Sequence, residues 1–289
     1  MTVSEAIGCG AKRLAAGGVD SPRLEGEWLL AHVLGVPRLR LVIEAAREVT
    51  AGEAREFEGL VTSRASRRPL QHLLGSVSFC GLEFAVNPSV LIPRPETELL
   101  AERAWQFLLA PPTPWGRPPV VLDFGTGSGC LAVTLAVKCP AAVVHAVDIS
   151  PDALAVARGN AARNGAGGRV SFHLGDGFAA LPRDVRFDLV VGNPPYIPTG
   201  EIAGLQPEVR DHDPRLALDG GADGLDFCRQ MAREAAAWLR PEARVMLEFG
   251  DGQGGALREL FSRPPWWCEG IFPDYSGRER ILIAALARA

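Results

Sequence analysis

Hydrophobic side chains in the first 75 residues recur every three or four positions, which is the spacing of one helical face. The first such series runs through Val3, Ile7, Ala11 and Leu14. Ser21 followed by Pro22 is typical of a helix start, and Thr50 with Glu53 three residues later is a capping-box pattern. We therefore predict a small helical bundle over residues 1–75.

From Ser76 to Val86 the hydrophobic period changes from helical spacing to alternation, with Gly81 near the middle. Alternation over a short run that is broken by glycine predicts a β-hairpin. Prolines at positions 88, 93 and 95 follow, and proline favours extended backbone in the residue before it. We predict a hairpin and connector over residues 76–95, and a helix that opens at Glu96.

Beyond residue 119, short apolar runs alternate with helical stretches. Six of these runs are typical of buried strands: 120–125, 142–148, 170–176, 187–195, 243–250 and 280–286. Strands that alternate with helices favour a doubly wound α/β sheet with both faces covered. The sequence thus predicts a Rossmann-like α/β domain over residues 96–289, with a proline-rich loop at 110–119 before its first strand.

Composition narrows the class of protein and of ligand. Of the 289 residues, 47% are hydrophobic, which is enough for two cores, and the net charge of −4 gives no general attraction to nucleic acid or anionic membranes. No run of about 18 apolar residues and no signal peptide is evident. The cysteines form no CxxC pair and the histidines lack ligand spacing. We expect a cytoplasmic protein with reduced thiols, no metal, and neither a membrane nor a nucleic acid as partner.

A glycine-rich turn links the first predicted strand of this domain to a helix. Its residues are Gly125, Thr126, Gly127, Ser128 and Gly129. Glycine lets the backbone turn tightly and approach a ligand without an intervening Cβ atom. Position 130 is cysteine, where the dinucleotide fingerprint requires glycine or alanine, so a pyrophosphate ligand is disfavoured. An adenosyl ligand without phosphates is compatible with this turn.

Acidic residues close the next two predicted strands. Asp148 lies about 20 residues beyond the glycines, where a carboxylate accepts hydrogen bonds from both ribose hydroxyls. Asp176, followed by Gly177 and Phe178, can accept a hydrogen bond from an adenine amino group, with the phenyl ring beside the base. We predict that these residues bind an adenosine-containing cofactor. A helix cap or an ordinary turn is the alternative explanation for them.

The fourth predicted strand of the domain runs into Asn193, Pro194, Pro195 and Tyr196. An NPPY segment at this place resembles the amino-methyltransferases, which act on exocyclic nitrogens of adenine or cytosine and on glutamine amides. The resemblance implies S-adenosylmethionine as the methyl donor and S-adenosylhomocysteine as the product. A rigid turn without catalytic function is the alternative, because Asn-Pro and Pro-Pro are common turn signals.

The targets of such enzymes share a nitrogen whose lone pair is delocalised, so it is a poor nucleophile. The side-chain oxygen of Asn193 and the backbone carbonyl of Pro194 can each accept one N–H of the target, which aims the lone pair at the methyl group. Pro195 stiffens this backbone without adding a donor, and Tyr196 offers a flat face to a planar amide or base. We predict that Asn193 to Tyr196 form the catalytic site, without a general base.

Three further segments carry a more specific resemblance. They are residues 69–100, which include RPETE at 94–98, the Glu-Phe-Gly at 248–250, and DYSGRER at 274–280. Over nearly its whole length the chain resembles the HemK/PrmC family, the peptide chain release factor N5-glutamine methyltransferases. The resemblance implies a class I methyltransferase domain that is joined by a β-hairpin to a helical domain that docks release factors. It also implies methylation of the glutamine in their Gly-Gly-Gln loop, and cofactor contacts from Gly125 to Gly129, Asp148 and Asn193.

Alternatives with the same chemistry stay open at this point. A sister family methylates a glutamine of a large-subunit ribosomal protein and differs at the RPETE segment. A DNA or RNA adenine N6-methyltransferase needs a basic groove, whereas the first 75 residues hold ten Lys/Arg against nine Asp/Glu. A non-enzymatic adenosine-binding regulator would not need an intact NPPY. One departure from the HemK/PrmC pattern is Gly177, where members often carry a bulky aromatic residue, so Phe178 is the candidate replacement for stacking on adenine.

Overall fold

The structure is a computed structural model that describes residues 1–110 and 116–287. Residues 111–115, which carry part of the predicted proline-rich loop, lie outside the described residues. The chain divides into two compact units. The first comprises Met1–Ser76 and Leu205–His212, and the second comprises Val77–Gly204 and Asp213–Ala289.

The N-terminal part of the first unit is helical, as predicted. Its helices are α1 (Val3–Ala16), α2 (Pro22–Leu34), α3 (Arg40–Ile43), α4 (Ala51–Ala65) and α5 (Leu70–Leu74). The predicted capping box at the start of α4 is confirmed, because Thr50 and Glu53 each accept a hydrogen bond from the backbone N–H of the other. The apolar faces of the helices meet in a core that includes Leu14, Leu29, Leu30, Phe57 and Val61.

The remaining elements follow in chain order. They are β1 (Ser76–Phe79), β2 (Leu82–Ala85), α6 (Pro95–Leu109), β3 (Val120–Phe124), α7 (Cys130–Lys138), β4 (Val143–Asp148), α8 (Pro151–Arg163), β5 (Val170–Leu174), β6 (Phe187–Gly192), α9 (Pro207–Arg210), α10 (Asp226–Glu234), β7 (Leu239–Glu248), α11 (Gly254–Leu260), β8 (Trp266–Pro273) and β9 (Glu279–Leu286). β1 and β2 pair with each other, which confirms the predicted hairpin. Both turn residues, Cys80 and Gly81, have positive φ values, 52° and 79°.

The described part of the second unit contains one mostly parallel sheet with the strand order β5-β4-β3-β6-β7-β9-β8. β3 pairs in parallel with β4 on one side and β6 on the other, so the strand order reverses direction at β3. β9 runs antiparallel to β7. The predicted doubly wound α/β fold is confirmed. In such sheets ligands bind outside the carboxyl ends of the strands at the reversal point, which here lies between β3 and its neighbours.

β8 is a strand that the sequence did not predict. It forms the outer strand of the sheet beside β9, and its register shifts between Cys268 and Gly270. That irregularity interrupts the alternation of apolar and polar positions, which is the signal that predicts a strand.

Residues 205–212 belong to the first unit although they follow β6 in the chain. Glu208 of α9 explains this assignment. Its carboxylate accepts hydrogen bonds from Arg64 at 2.8 Å and from both Nε and Nη2 of Arg67 at 2.7 and 2.6 Å. The buried Arg64 also pairs with Glu25 of α2. Charge-assisted and bidentate bonds of this kind are among the stronger polar contacts in proteins.

None of the helices in residues 1–110 and 116–287 has both the length and the apolar character that crossing a membrane requires.

Candidate active site

A cavity of about 290 Å³ lies within the second unit, beside the carboxyl ends of β3, β4, β5 and β6. Most of the residues predicted to bind a cofactor line it: Gly125, Thr126, Gly127, Ser128, Asp148, Asp176, Gly177 and Asn193. Pro195 lines it as well. The structure therefore brings together residues from four separate strand ends, as the parallel order of the sheet requires.

The glycine-rich turn is built by glycines with positive φ. Gly125 and Gly127, with φ of 74° and 54°, both line the cavity. Gly129 does not. It precedes α7, and a Cβ atom at this position would lie 3.0 Å from the Cβ atom of Ala157 on α8. Gly129 thus permits close packing of two helices and does not contribute to the cavity wall.

Asp148 is held in a fixed orientation at the end of β4. One carboxylate oxygen accepts a hydrogen bond from the Gly127 N–H at 2.8 Å, and the other accepts one from the Ser150 N–H at 2.9 Å. Each carboxylate oxygen has a further lone pair. A carboxylate so oriented in the cavity wall can accept hydrogen bonds from two neighbouring hydroxyl groups.

Asp123 is a site residue that the sequence analysis missed. It lies in the cavity wall and is 1% exposed. Its Oδ2 accepts hydrogen bonds from the Thr126 hydroxyl at 2.6 Å and the Ala132 N–H at 3.0 Å, whereas Oδ1 has no hydrogen-bond partner among the described residues. Burial raises the pKa of this carboxyl group to about 7, against the lowering effect of these two bonds. An acidic residue inside an otherwise apolar strand was the available signal.

The structure places Phe178 in the core and not in the cavity. Its ring is 3% exposed and packs against Phe124 and Trp238, with ring centroids 4.9 and 5.6 Å away. The preceding Gly177 has φ of 54°, and a Cβ atom there would lie 2.5 Å from the Phe124 ring. Phe178 therefore does not lie where it could stack on the adenine, which was the role expected for it from the sequence.

Two aromatic residues among those described line the cavity, Phe124 at the end of β3 and Phe227 of α10. Gln230, one helical turn beyond Phe227, lines it as well. The Phe227 ring contacts the edge of Phe124 at a centroid distance of 4.9 Å. Asp176 lines the same cavity and is exposed. Phe227 lies about 50 residues beyond Phe178 in the chain, so no local pattern could have linked it to this site.

The NPPY segment directly follows β6, where hydrogen bonds hold Asn193. The side-chain Nδ2 of Asn193 donates to the Thr97 hydroxyl oxygen at 2.9 Å, and the Thr97 hydroxyl donates to Glu248 Oε2 at 2.7 Å. Tyr196 O–H makes a long contact of 3.4 Å with Glu248 Oε1. Asn193 and Pro195 line the cavity, whereas Pro194 is buried behind them and Tyr196 lies outside the cavity lining.

The backbone after Asn193 is held equally closely. The Tyr196 carbonyl accepts a hydrogen bond from Gln253 Nε2 at 2.9 Å, and the Gln253 side-chain oxygen accepts one from the Gly250 N–H at 2.8 Å. A Cβ atom at Gly250 would lie 3.1 Å from the Tyr196 ring, and one at Gly224 would lie 2.1 Å from the Tyr196 carbonyl oxygen. Glycine is therefore needed at position 224, whereas a side chain at position 250 would require the Tyr196 ring or the Gln253 side chain to shift slightly.

Glu248 is the second buried acidic residue that the sequence analysis did not assign to the site. Its side chain is 2% exposed at the end of β7. Burial raises the pKa of this carboxyl group to about 7 and nearby Glu96 adds to the rise, while Thr97, Arg280 and Tyr196 oppose it. In the sequence, Thr97 stood out only as part of the RPETE segment. Its contact with Asn193 joins residues that are 96 positions apart.

Within residues 1–110 and 116–287, no group of three or more His, Cys, Asp or Glu side chains is arranged to hold a metal ion.

Comparison with known protein families matches both units. The model of the PrmC N-terminal domain matches residues 5–75, and that of the methyltransferase small domain matches residues 108–204. Among curated proteins, the release factor glutamine methyltransferase of Geobacter sulfurreducens is 48% identical over 269 residues, which is 93% of this chain and 91% of the relative. The release factor glutamine methyltransferase of Cereibacter sphaeroides is 42% identical over 289 residues, the full length of both chains.

Solved structures support the fold. The hMettl16 catalytic domain in complex with the MAT2A 3′UTR hairpin 1 aligns with a TM-score of 0.55 at 15% identity, covering 82% of this chain and 81% of that chain. A methyltransferase from Pyrococcus furiosus aligns with a TM-score of 0.50 at 19% identity, covering 72% of this chain and 90% of that one. At such low identity these likenesses indicate a shared methyltransferase fold and nothing of the substrate. The identity to the curated relatives over nearly the full length decides the family, and this chain belongs to the release factor glutamine methyltransferases.

Proposed function

We propose that the protein transfers a methyl group from S-adenosylmethionine to the side-chain amide nitrogen, N5, of the glutamine in the Gly-Gly-Gln loop of peptide chain release factors. The observation that carries this proposal is the 42% identity over full length to a relative that is named a release factor glutamine methyltransferase. The hydrogen-bonded Asn193 in the cavity wall supports the same chemistry. The reaction belongs to translation, so we also propose that the protein works in the cytoplasm.

The cavity fits the cofactor chemically. The methionine part of S-adenosylmethionine carries an ammonium group, and Asp123 Oδ1 is a buried acceptor without a partner among the described residues. A cation beside it would offset the cost of burying the charged carboxylate. The N-terminal end of α7, beside Gly127 and Ser128, favours an anionic group such as the methionine carboxylate. Asp148 would accept the ribose hydroxyls, and Asp176 and Phe227 would lie at the adenine.

When bound, the cofactor would supply an electrophilic methyl group on its sulfonium sulfur. The sulfur keeps the electron pair of the broken carbon–sulfur bond and leaves as a neutral thioether. The residues of the chain position the glutamine amide. Asn193 Oδ1 and the Pro194 carbonyl would each accept one N–H of the amide, which turns its lone pair toward the methyl carbon. Because nitrogen becomes acidic as methylation proceeds, its proton can pass to solvent, and we assign no general base.

An exposed apolar surface on the first unit supports the proposal that residues 1–75 dock the release factor. Leu39, Val42 and Ile43, at and within α3, are 74%, 77% and 81% exposed. Three large apolar side chains next to one another on a surface are typical of a site that another protein covers. We propose that this α3 surface contacts the release factor outside its Gly-Gly-Gln loop, while residues 96–289 carry out methyl transfer.

The substrate is tested by methyl transfer from labelled S-adenosylmethionine to purified release factor, ribosomal protein and DNA in parallel. A release factor with the loop glutamine changed to alanine is the control. We expect label on the intact release factor only. Label on the ribosomal protein or on DNA instead would overturn the proposed substrate.

The α3 surface is tested with the variant Leu39→Ser/Val42→Ser/Ile43→Ser. We expect its KM for intact release factor to rise roughly 10-fold, since docking contacts of this size contribute about 1 to 2 kcal/mol. Its kinetics on a free Gly-Gly-Gln peptide should not change. Trp267→Ser, which alters another exposed apolar side chain, is the matched control. An unchanged KM for the triple variant would contradict docking at α3.

A further inference from the structure

The amide group of Asn193 has two ends, and the proposed chemistry uses only one of them. Its oxygen accepts an N–H of the target amide, whereas its nitrogen would oppose that N–H with its own hydrogens. The two orientations have nearly the same shape, so packing alone does not select between them. A hydrogen-bond partner on the far side of the amide must select the orientation.

The Thr97 hydroxyl is that partner. It has a single hydrogen, which it donates to Glu248 Oε2 at 2.7 Å. The ionised form of Glu248 accepts hydrogen bonds and donates none, so Thr97 is the donor of this bond whenever Glu248 is ionised. The Thr97 oxygen, which lies 2.9 Å from Asn193 Nδ2, is then left as an acceptor. The amide nitrogen is therefore held toward Thr97, and the oxygen is directed away from it.

Rigid elements hold all three side chains. Gly192 of β6 and Leu247 of β7 are partners in the parallel register, so the next residues, Asn193 and Glu248, lie side by side at the ends of adjacent strands. Thr97 lies in the first turn of α6 and is 1% exposed, and Glu248 is 2% exposed. Side chains that are fixed by packing and carried on regular elements keep a catalytic group in position.

We propose that Thr97 and Glu248 are positioning residues that direct the Asn193 side-chain oxygen toward the glutamine amide, in a relay from Glu248 through Thr97 to Asn193. This inference rests on the proposed function and deepens it. Neither residue needs to touch the substrate. Removing the Thr97 hydroxyl would leave Asn193 Nδ2 without its acceptor and Glu248 Oε2 without its donor, and the amide would be free to turn.

The relay is tested by a double-mutant cycle with Thr97→Val, which removes the hydroxyl while keeping the shape of the side chain, and Asn193→Ala. Single-turnover methyl transfer to release factor is measured for the wild type, both single variants and the double variant. We expect Thr97→Val alone to lower the rate roughly 10- to 100-fold, with KM for release factor changed less than about 3-fold. Thr97→Ser, which keeps the hydroxyl, should stay within about 3-fold of the wild type.

The decisive comparison is made in the Asn193→Ala background. Because Thr97 acts through Asn193, Thr97→Val should there change the rate by less than about 2-fold. The same 10- to 100-fold fall in both backgrounds, or a Thr97→Ser variant as slow as Thr97→Val, would overturn the relay. If the wild type methylates a different amide or amino substrate, the proposed substrate fails, and the cycle measured on that other substrate still decides the relay.

Discussion

The cofactor side and the NPPY side of the cavity each contain a buried carboxyl group, and the two groups differ in how their oxygen atoms are satisfied. Asp123 accepts two hydrogen bonds on Oδ2, while its Oδ1 has no partner among the described residues. One carboxylate oxygen of Glu248 accepts a hydrogen bond from the Thr97 hydroxyl, and the other makes the longer contact with the Tyr196 hydroxyl. The pKa of each carboxyl group is raised to about 7, in both cases chiefly by burial.

This difference indicates that the two sides are prepared for catalysis in different ways. On the cofactor side, Asp123 has no cationic partner among the described residues, and the ammonium group of the cofactor can provide one. We therefore expect the free energy of burying this carboxylate to change when the cofactor binds. The hydrogen bonds on the NPPY side are made between side chains of the protein itself, so we expect this side to be preorganised, which is how an enzyme stabilises a transition state without rearranging during the reaction. Cofactor binding should therefore depend on Asp123, and turnover should depend on Asn193.

The largest effect is expected for Asn193→Ala. Turnover should fall on the order of 10³-fold, because the lost acceptor acts on the reacting nitrogen. Cofactor affinity should fall less than about 5-fold, since other groups provide most of the binding. Single-turnover methyl transfer and calorimetric titration measure the two quantities. Normal turnover in this variant would remove the positioning mechanism.

A smaller effect, on binding only, is expected for Asp123→Asn. The affinity for S-adenosylhomocysteine should fall roughly 10- to 100-fold, the range for losing a hydrogen bond to a charged group. Turnover at saturating cofactor should stay within about 3-fold of the wild type, because Asp123 is not placed at the reacting nitrogen. Asp184→Asn, which changes an exposed carboxylate outside the cavity lining, is the matched control. If both variants bind equally well, the role of Asp123 is refuted.

The pH dependence of cofactor affinity and that of turnover should distinguish the two buried carboxyl groups, Asp123 and Glu248. Cofactor affinity should rise as pH increases through about 7, because the ammonium group prefers the ionised Asp123, and the Asp123→Asn variant should show no such rise. Since the pKa of Asp123 is higher in the folded chain than its ordinary value of 3.8, the contribution of Asp123 to the stability of the free protein falls as pH rises from about 4 through 7. Titration calorimetry and thermal unfolding across this range measure both effects.

Turnover should also rise with pH through about 7, because only the ionised Glu248 accepts from both Thr97 and Tyr196. The charged neighbours Glu96 and Arg280 act on the Glu248 pKa in opposite directions. Unlike the affinity profile, this turnover profile should persist in Asp123→Asn at saturating cofactor. A flat turnover profile between pH 6 and 8, on the order of one unit either side of this pKa, would contradict it.

The smallest effect is expected for Tyr196→Phe. The contact between its hydroxyl and Glu248 is 3.4 Å long, and bonds at that distance contribute little. Turnover should therefore fall less than about 5-fold. A loss as large as that of Asn193→Ala would show that the hydroxyl takes part in the chemistry, and that the description of the NPPY side is incomplete.

Sequence patterns predicted what is local and failed where the site depends on distant parts of the chain. The glycine turn and NPPY directly follow strands and Asp148 ends one, so the order of strands alone placed them at one edge. Thr97 and Glu248 are 151 positions apart, and only the packing of α6 against β7 brings them together. Phe178 was expected at the cofactor because of its neighbours in sequence, but its ring packs in the core beside Trp238.

The central claim is that the methyl group is placed on a glutamine amide nitrogen that Asn193 positions. The most direct measurement is fragmentation mass spectrometry of release factor after reaction with the wild-type protein and S-adenosylmethionine. The account predicts a single added methyl group on the side-chain nitrogen of the glutamine in the Gly-Gly-Gln loop. A methyl group on a carboxylate oxygen, a lysine or the backbone would contradict it.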